Sequence, residues 1–352
     1  MTRTNRSTCM RQPFVFLLTL FFLVPLALRA ASRSLQIYFI DVEGGQSTLL
    51  VDPQGESLLI DTGWAGFNDR DPDRIMAAVH SAGIQHIDYL VLTHYHSDHA
   101  GGLQGLAKRI RILSFADHGP SVQRSGQTQN LYQVYRKVSA GSKRKTVRPG
   151  DRIPFRGMRV KVLASAGHVI RSPLPGAGQP NPLCAAETDP GPNPNENGQS
   201  VGLLITFGRF RFIDLGDLTK QKELALVCPR NLIGTVDLYL TTHHGTTHPG
   251  PNTSNPRAIV DALHPRVAVM NNGATKGGSP EAWDTFHNSP DLQDLWQLHY
   301  SVAGGAKHNS ARKFIANPGK MDGGFSIKVL AEPSGTFTVI NSRNNFRKTY
   351  EK

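Results

Sequence analysis

The apolar positions of this chain fall into short runs with two rhythms. Residues 36–41 (QIYFID), 47–52 (STLLVD) and 57–61 (SLLID) are rich in Ile, Leu and Val and are separated by glycine-containing turns, the pattern of a β-meander. Asp71 and Pro72 then offer a helix N-cap and first turn, Ile75, Ala78, Val79 and Ala82 recur at helical spacing, and Gly83 ends the run. Residues 87–93 (IDYLVLT) are nearly all apolar, as in a strand covered on both faces. Strand, helix and buried strand in succession predict an α/β sandwich.

The middle of the chain, 114–199, reads as irregular. It is polar and basic up to Arg152, has one strand over 158–164, and ends in a Pro/Gly/Asn-rich loop at 173–198, long enough to predict a functional loop or a mobile insert. Strands are predicted at 201–207 and 210–215, a helix at 220–227, a strand at 237–242, a helix at 255–263 and a strand at 266–270, which repeats the rhythm of the first half. Ser289 and Pro290 predict the cap of a helix carrying Leu292, Leu295 and Trp296, with Trp296 in the core. Residues 325–340 predict a terminal hairpin turning at Pro333, Ser334 and Gly335.

At the N-terminus Arg3, Arg6 and Arg11 precede an apolar run over 13–28, and Ala30, Ala31 and Ser32 follow. Residues 1–31 therefore read as a signal peptide, or as an N-terminal anchor if the segment is retained. The run is short for a span of about 20 residues, and Leu28 stands where a small residue would precede a cut after Ala30, which leaves the cleavage site open. The expected product is exported, periplasmic or extracellular, with one domain over 35–345. Cys184 and Cys228 suffice for one disulfide in such a compartment, a pairing the sequence leaves open, and neither lies in a CxxC spacing.

Composition narrows the class. Hydrophobic residues at 39% and charged residues at 19%, with 34 Gly and 23 Pro, exclude a coiled coil and a polytopic membrane protein. The formal charge of +12 falls to +8 without the arginines of the first 31 residues, so the expected partner is an anionic substrate, such as nucleic acid or a small phosphodiester. No transmembrane partner is implied, and the oligomeric state is not legible. Lys143, Arg144, Lys145, Arg148 and Arg152 form a basic run that reads as a solvated loop, with polyanion binding as the alternative.

The densest chemistry is THYHSDHAGG at 93–102. His94, His96, Asp98 and His99 place four potential metal ligands within six positions, on a loop where 94 and 96 can point one way and 98 and 99 another, which suits two adjacent cations. This string, with LLIDTG at 58–63, resembles the HxHxDH signature of the metallo-β-lactamase fold superfamily. The segments FIDVEGGQSTLL, ENGQSVGLLI, LGD and THHG are similar to the hydrolase domain of ComEC-type competence proteins, although Glu43, Gly44, Gly45, Gln46 and Ser47 depart from the Gly-Gln-Gly-Asp-Ser usual there.

The resemblance implies a four-layered αββα sandwich with a dinuclear metal site at one edge. It implies two divalent metal ions, zinc first, with manganese or iron as alternatives. It makes Asp217 the bridging carboxylate and places the last ligand in His243–His244; His243 is taken for the metal and His244 for orienting substrate. The histidine that many superfamily members carry before strand 201–207 is absent, with Glu196, Asn197 and Ser200 in its place, so Asn197 faces substrate or the metal shell and His168 is a substitute only if its loop folds inward. Asp61 is expected to fix the tautomer of a ligand histidine, with a plain turn residue as the alternative.

Asp98, ligand and orienting group at once, is the catalytic candidate. Two cations would lower the pKa of a bridging water, and the hydroxide would attack phosphorus or a carbonyl carbon. A phosphodiesterase or nuclease-like hydrolase is the first reading and a lactone or β-lactam/amide hydrolase the alternative. A non-catalytic anion-binding protein of the same fold comes third.

Overall fold

Two nine-stranded sheets face each other. The computed structural model describes residues 1–2, 34–192, 194–247, 250, 253–319 and 323–352, so the signal-peptide reading lies outside the described residues. The first sheet begins with β1 (Leu35–Phe39), β2 (Thr48–Val51) and β3 (Ser57–Ile60), the expected antiparallel meander, and continues in parallel through β4 (His86–Val91), β5 (Arg111–Asp117) and β6 (Lys143–Thr146). The second sheet holds β7 (Arg152–Ile153), β8 (Arg159–Ser165), β9 (His168–Val169), β10 (Gly202–Phe207) and β11 (Phe210–Asp214), then the parallel β12 (Leu238–Leu240), β13 (Val267–Met270), β14 (Asp294–His299) and β15 (Ile315–Asn317). The chain then returns to the first sheet as β16 (Ile327–Ala331), β17 (Phe337–Asn341) and β18 (Arg347–Tyr350), with β16 paired to β1.

Helices cover the outer faces. On the first sheet lie α1 (Arg70–Ala82), α2 (Ser97–Ala100), α3 (Leu103–Leu106) and α4 (Gly126–Val138); on the second lie α5 (Lys220–Val227), α6 (Arg257–Leu263) and α7 (Pro280–His287). Three apolar layers result. The inner one joins the sheets, for instance through Phe39 and Phe212, whose rings meet edge to face at 5.6 Å, and the outer two seat the helices. This is the αββα sandwich of the metallo-β-lactamase fold, and Ser32–Lys352 makes one compact unit. No helix among the described residues is long and apolar enough to cross a membrane.

Several elements differ from the sequence reading. Trp296 lies on a strand and not on a helix: the helix comes earlier, at Pro280–His287, and residues 295–299 are buried on both faces of a parallel sheet, polar Gln297 and His299 included, so they lack the alternation that marks a half-exposed strand. The middle segment is also more regular than expected. The helix α4 there buries only Tyr132 and Tyr135 fully, a stripe too thin to show as periodicity, and Tyr135 donates to Asp117 at 2.6 Å. The helix α1 starts at Arg70, and Asp71 accepts from the backbone N of Trp64 at 2.8 Å instead of capping; Gly83, at φ 73°, does end it. The strand β18 carries the sheet past residue 345. The terminal hairpin turns at Pro333–Gly335 as predicted, with Ala331 paired to Phe337.

The long loop after Pro173 holds one short 3-10 turn, Pro182–Ala186, and is tied to the end of α5 by a disulfide between Cys184 and Cys228. The basic run is exposed, as the solvated reading expects, although its first part forms β6 and two of its five residues are paired: Arg144 with Asp117 at 2.7 Å and Lys145 with Asp151 at 3.1 Å.

Candidate metal centre

Parallel strands deliver their C-terminal ends to one edge of the sandwich, where ligands collect in open α/β sheets. The strand β4 ends at Val91 and releases the loop with Thr93, His94 and His96, while Asp98 and His99 sit in the short helix α2. From the other sheet, the turn after β11 presents Asp217, and the 3-10 turn Thr242–Gly245 after β12 presents His243 and His244.

That last turn carries backbone strain. His243 (φ 53°, ψ 44°) and His244 (φ 58°, ψ 22°) are both left-handed, at a cost of about 1–3 kcal/mol each. The consequence is that neighbouring imidazoles reach different oxygens of one carboxylate. Asp217 Oδ1 lies 3.2 Å from His99 Nε2 and 3.4 Å from His244 Nε2, whereas Oδ2 lies 3.4 Å from His243 Nε2 and 3.9 Å from His94 Nε2. Asp98 Oδ2 closes the first group, 3.4 Å from His99 Nε2 and 3.2 Å from His244 Nε2. On the other side, His94 Nε2 and His96 Nδ1 converge at 3.0 Å.

The donor atoms fit a cation. Asp98, His99, Asp217 and His244 each offer one ligand atom, all within 4.8 Å of one another, and all four residues are buried. His99 Nε2, His244 Nε2 and Asp217 Oδ1 are buried without a hydrogen-bond partner, an arrangement that burial penalises unless something binds there. The charge states agree except at His99, where, against burial, Asp217, Asp98 and Asp61 hold the ring well above the usual imidazole range, so that it must lose a proton to bind a cation. Burial, with His99 and His96 nearby, holds His94 well below the usual imidazole range, burial lowers His96, and burial with the charge of His244 lowers His243 to about 4, so these rings are neutral. Against burial, His99, Lys276 and His244 draw Asp98 well below the carboxylate range, and His243, His99 and His244 do the same for Asp217.

Supporting groups fix this geometry. Asp61 Oδ2 accepts from His99 Nδ1 at 2.6 Å and from the Thr93 hydroxyl at 2.6 Å, and Oδ1 accepts from the Thr93 backbone N at 2.8 Å. The Asn271 side-chain amide lies 3.2 Å from His244 Nδ1. Two glycines let neighbouring loops close in: a Cβ on Gly45 would fall 2.4 Å from the Asp98 carbonyl oxygen, and one on Gly277 2.3 Å from that of His244.

The geometry sorts the sequence candidates. His94, His96, Asp98, His99, Asp217, His243 and His244 come together, and His244, read from sequence as a substrate group, stands in the four-residue cluster. Asn197 is buried with its Oδ1 unpartnered, close to the metal loop, since Val201 N bonds Thr93 O at 2.9 Å. Glu196 serves as a latch, accepting from Ser121 Oγ at 2.8 Å, Val122 N at 2.7 Å and Tyr95 N at 3.2 Å and pairing with His118 at 3.0 Å. His168 does not fold inward; it is exposed on the β8–β9 hairpin, opposite Ser165. His299 pairs with Asp41 at 2.7 Å, away from the cluster.

Sequence reasoning missed Lys276. Its ammonium contacts Asp98 Oδ2, donates to the Gly44 carbonyl at 2.6 Å and lies 5.2 Å from the centre of the Trp64 ring, half-exposed at the mouth of the site. The signal available was Asn271–Gly278, a polar glycine-rich segment leaving a parallel strand on the metal edge.

A comparison with protein families agrees with this architecture. Residues 41–178 match the family model for the metallo-beta-lactamase superfamily. No curated protein matches the sequence. Among solved structures, CmlA, a diiron beta-hydroxylase from Streptomyces venezuelae, is similar at 16% identity and TM-score 0.41 over 66% of this chain and 44% of that one. The chain thus spans less than half of that protein's length. The metallo-beta-lactamase fold protein YhfI from Bacillus subtilis is similar at 12% identity and TM-score 0.42, over 67% and 84% of the two chains. A diphosphatase from the PhnP family is similar at 15% identity and TM-score 0.40, over 76% and 96%. The match of residues 41–178 to the metallo-beta-lactamase superfamily model thus agrees with the fold of the whole compact unit.

Proposed function

We propose that this protein is an exported, dinuclear metal-dependent hydrolase that cleaves a phosphodiester. The observation that carries the reading is the division of Asp217, whose two oxygens face separate sets of imidazoles. Asp98, His99, His244 and Asp217 would hold one cation, and His94, His96, His243 and Asp217 would hold the other, with His243 in the role of the missing histidine. Bound there, two divalent cations, with zinc the first choice, supply a water of lowered pKa and neutralise charge on the substrate's oxygen.

The chain's own residues do the rest. Asp61, through Thr93, keeps the His99 proton on Nδ1 so that Nε2 is free to ligate. Asp98 and Asp217 stay ionised despite burial, held so by the histidines and Lys276 around them, and so would balance part of the cationic charge. Lys276 supplies a mobile positive charge at the mouth, which favours an anionic substrate over a neutral one. The basic composition supports the same class, and the disulfide between Cys184 and Cys228 supports an oxidising compartment.

The test is direct. The purified protein is stripped of metal, reloaded with zinc or manganese, and offered bis(p-nitrophenyl) phosphate, single-stranded DNA and a lactone, with Asp217→Ala as control. Metal-dependent cleavage of a phosphodiester that the variant loses is expected. Turnover of the lactone alone would replace the phosphodiester reading.

A further inference from the structure

The outer face of the second sheet has a corner that the helices leave uncovered. Along β7, β8, β10 and β11 alternate side chains face opposite ways. The inward positions there, such as Ile153, Val160, Ile205 and Phe212, build the inter-sheet core. The outward positions Arg152, Arg159, Lys161 and Arg211 instead line a cavity of about 270 Å³, with Leu174 and Pro175 of the long loop as one wall. Register brings the charges together. Arg152 stands directly opposite Lys161, and Thr206 has Arg159 opposite it on one side and Arg211 on the other.

Like charges directly opposed across an antiparallel pair destabilise a sheet. Among the described residues none of these four side chains forms an ion pair, and of the carboxylates only the charge of Asp237 acts on Arg211. The cavity lining contains no carboxylate, and Lys161 reaches only the carbonyl of Gly150. Asp237, whose charge reaches Arg211, is shared with Arg266 at 2.9 Å and Lys352 at 3.3 Å. Arg211 spends one guanidinium nitrogen on the carbonyl of Ile233 at 2.6 Å, while its Nε is buried without a partner. Burial and the charge of Arg159 hold Arg211 below its ordinary pKa, despite Asp237. Four cations on three strands, β7, β8 and β11, with an unpartnered guanidinium nitrogen among them, form a built receptor that lacks its counter-charge.

We propose that this cavity is a second anion site, separate from the metal centre, which binds a phosphate group through Arg152, Arg159, Lys161 and Arg211. Guanidinium forks match the paired oxygens of a phosphate, and several positive charges favour a multiply charged anion over chloride. The site lies on β11 three residues before Asp214, about 10 Å along the strand from the metal edge. It requires binding and no turnover, so it stands or falls apart from the hydrolase reading.

The metal-loaded protein is titrated calorimetrically with inorganic pyrophosphate and, separately, with a single-stranded oligothymidylate, for wild type, Arg159→Gln and Arg211→Gln. Each substitution should weaken binding at least about tenfold, the scale of a lost charged hydrogen bond, while metal content and turnover of a small substrate stay unchanged. Weakening for both ligands supports a general phosphate site, for the oligonucleotide alone a site for a polymer backbone, and for pyrophosphate alone a site for free phosphate. Wild-type affinity for both ligands in both variants, or no binding by the wild type, would overturn the proposal. Arg159 is exposed, so its variant keeps the test intact even if Arg211→Gln fails to fold.

Discussion

The imidazole Nδ1 of His99 lies 2.6 Å from Oδ2 of Asp61, and both side chains are fully buried. Asp61 cannot reach a cation itself, because its second oxygen is held by the backbone of Thr93 at 2.8 Å. It acts by fixing which nitrogen of His99 carries the proton. Asp61→Asn keeps the shape but lets an amide hydrogen compete for Nδ1. Metal affinity, measured by competition with a chelator, should fall about 10–100-fold, with secondary structure intact. Unchanged affinity would reduce Asp61 to a turn residue.

His243 and His244 separate the two metal positions in a way that stoichiometry can read. Loss of the His244 ring removes one corner of the cluster with Asp98, His99 and Asp217, whereas loss of the His243 ring touches only the Oδ2 side of Asp217. Each alanine variant should therefore retain about one tightly held metal where the wild type holds about two, as measured by elemental analysis after dialysis. Retention of both metals in His243→Ala would return the missing-histidine position to water or substrate.

Much of this centre was legible in the sequence because its residues cluster on the loops that follow buried strands. His94 through His99 announce themselves by spacing, whereas Asp217 and His243–His244 were legible only through the resemblance to the family. What was not legible depends on backbone angles and long-range approach. Two consecutive left-handed residues decide which histidine faces which oxygen of Asp217, and no residue type signals that conformation in a His-His pair. Lys276 reaches Asp98 across 178 positions, a relationship that exists only after both sheets have formed. The misread helix at Trp296 has a similar cause: a strand buried on both faces has lost the alternation by which strands are recognised.

Lys276 has a role that substrate charge should expose. Its ammonium is shared between Asp98 and the Gly44 carbonyl, and a cation bound by Asp98 would compete with that contact and free the lysine to meet an incoming anion. Lys276→Met should raise KM for an anionic phosphodiester about 10–100-fold, the range for a lost charged hydrogen bond, and leave KM for a neutral lactone or ester within about twofold. Lys276→Arg should restore part of the difference. An equal rise for charged and neutral substrates would mark the lysine as a structural support of Asp98.

Glu223 gives the fold a pH dependence whose sign runs opposite to that of an ordinary paired carboxylate. Its side chain is fully buried, with Oε2 accepting from the backbone N of Asn255 at 2.8 Å, and burial pushes the carboxyl up to about 8 despite that bond. In the unfolded chain the group titrates near 4.3. The folded state therefore holds the proton more tightly, so its stabilising contribution is complete below about pH 4 and is lost as pH climbs through about 8, at about 1.4 kcal/mol per pH unit within that window. Glu223→Gln keeps an acceptor for Asn255 and removes the titration. The melting temperature of the variant, measured against wild type at equal metal loading, should gain steadily between pH 5 and pH 8 and level off above. A difference that stays constant across the range would show that Glu223 does not change charge on unfolding.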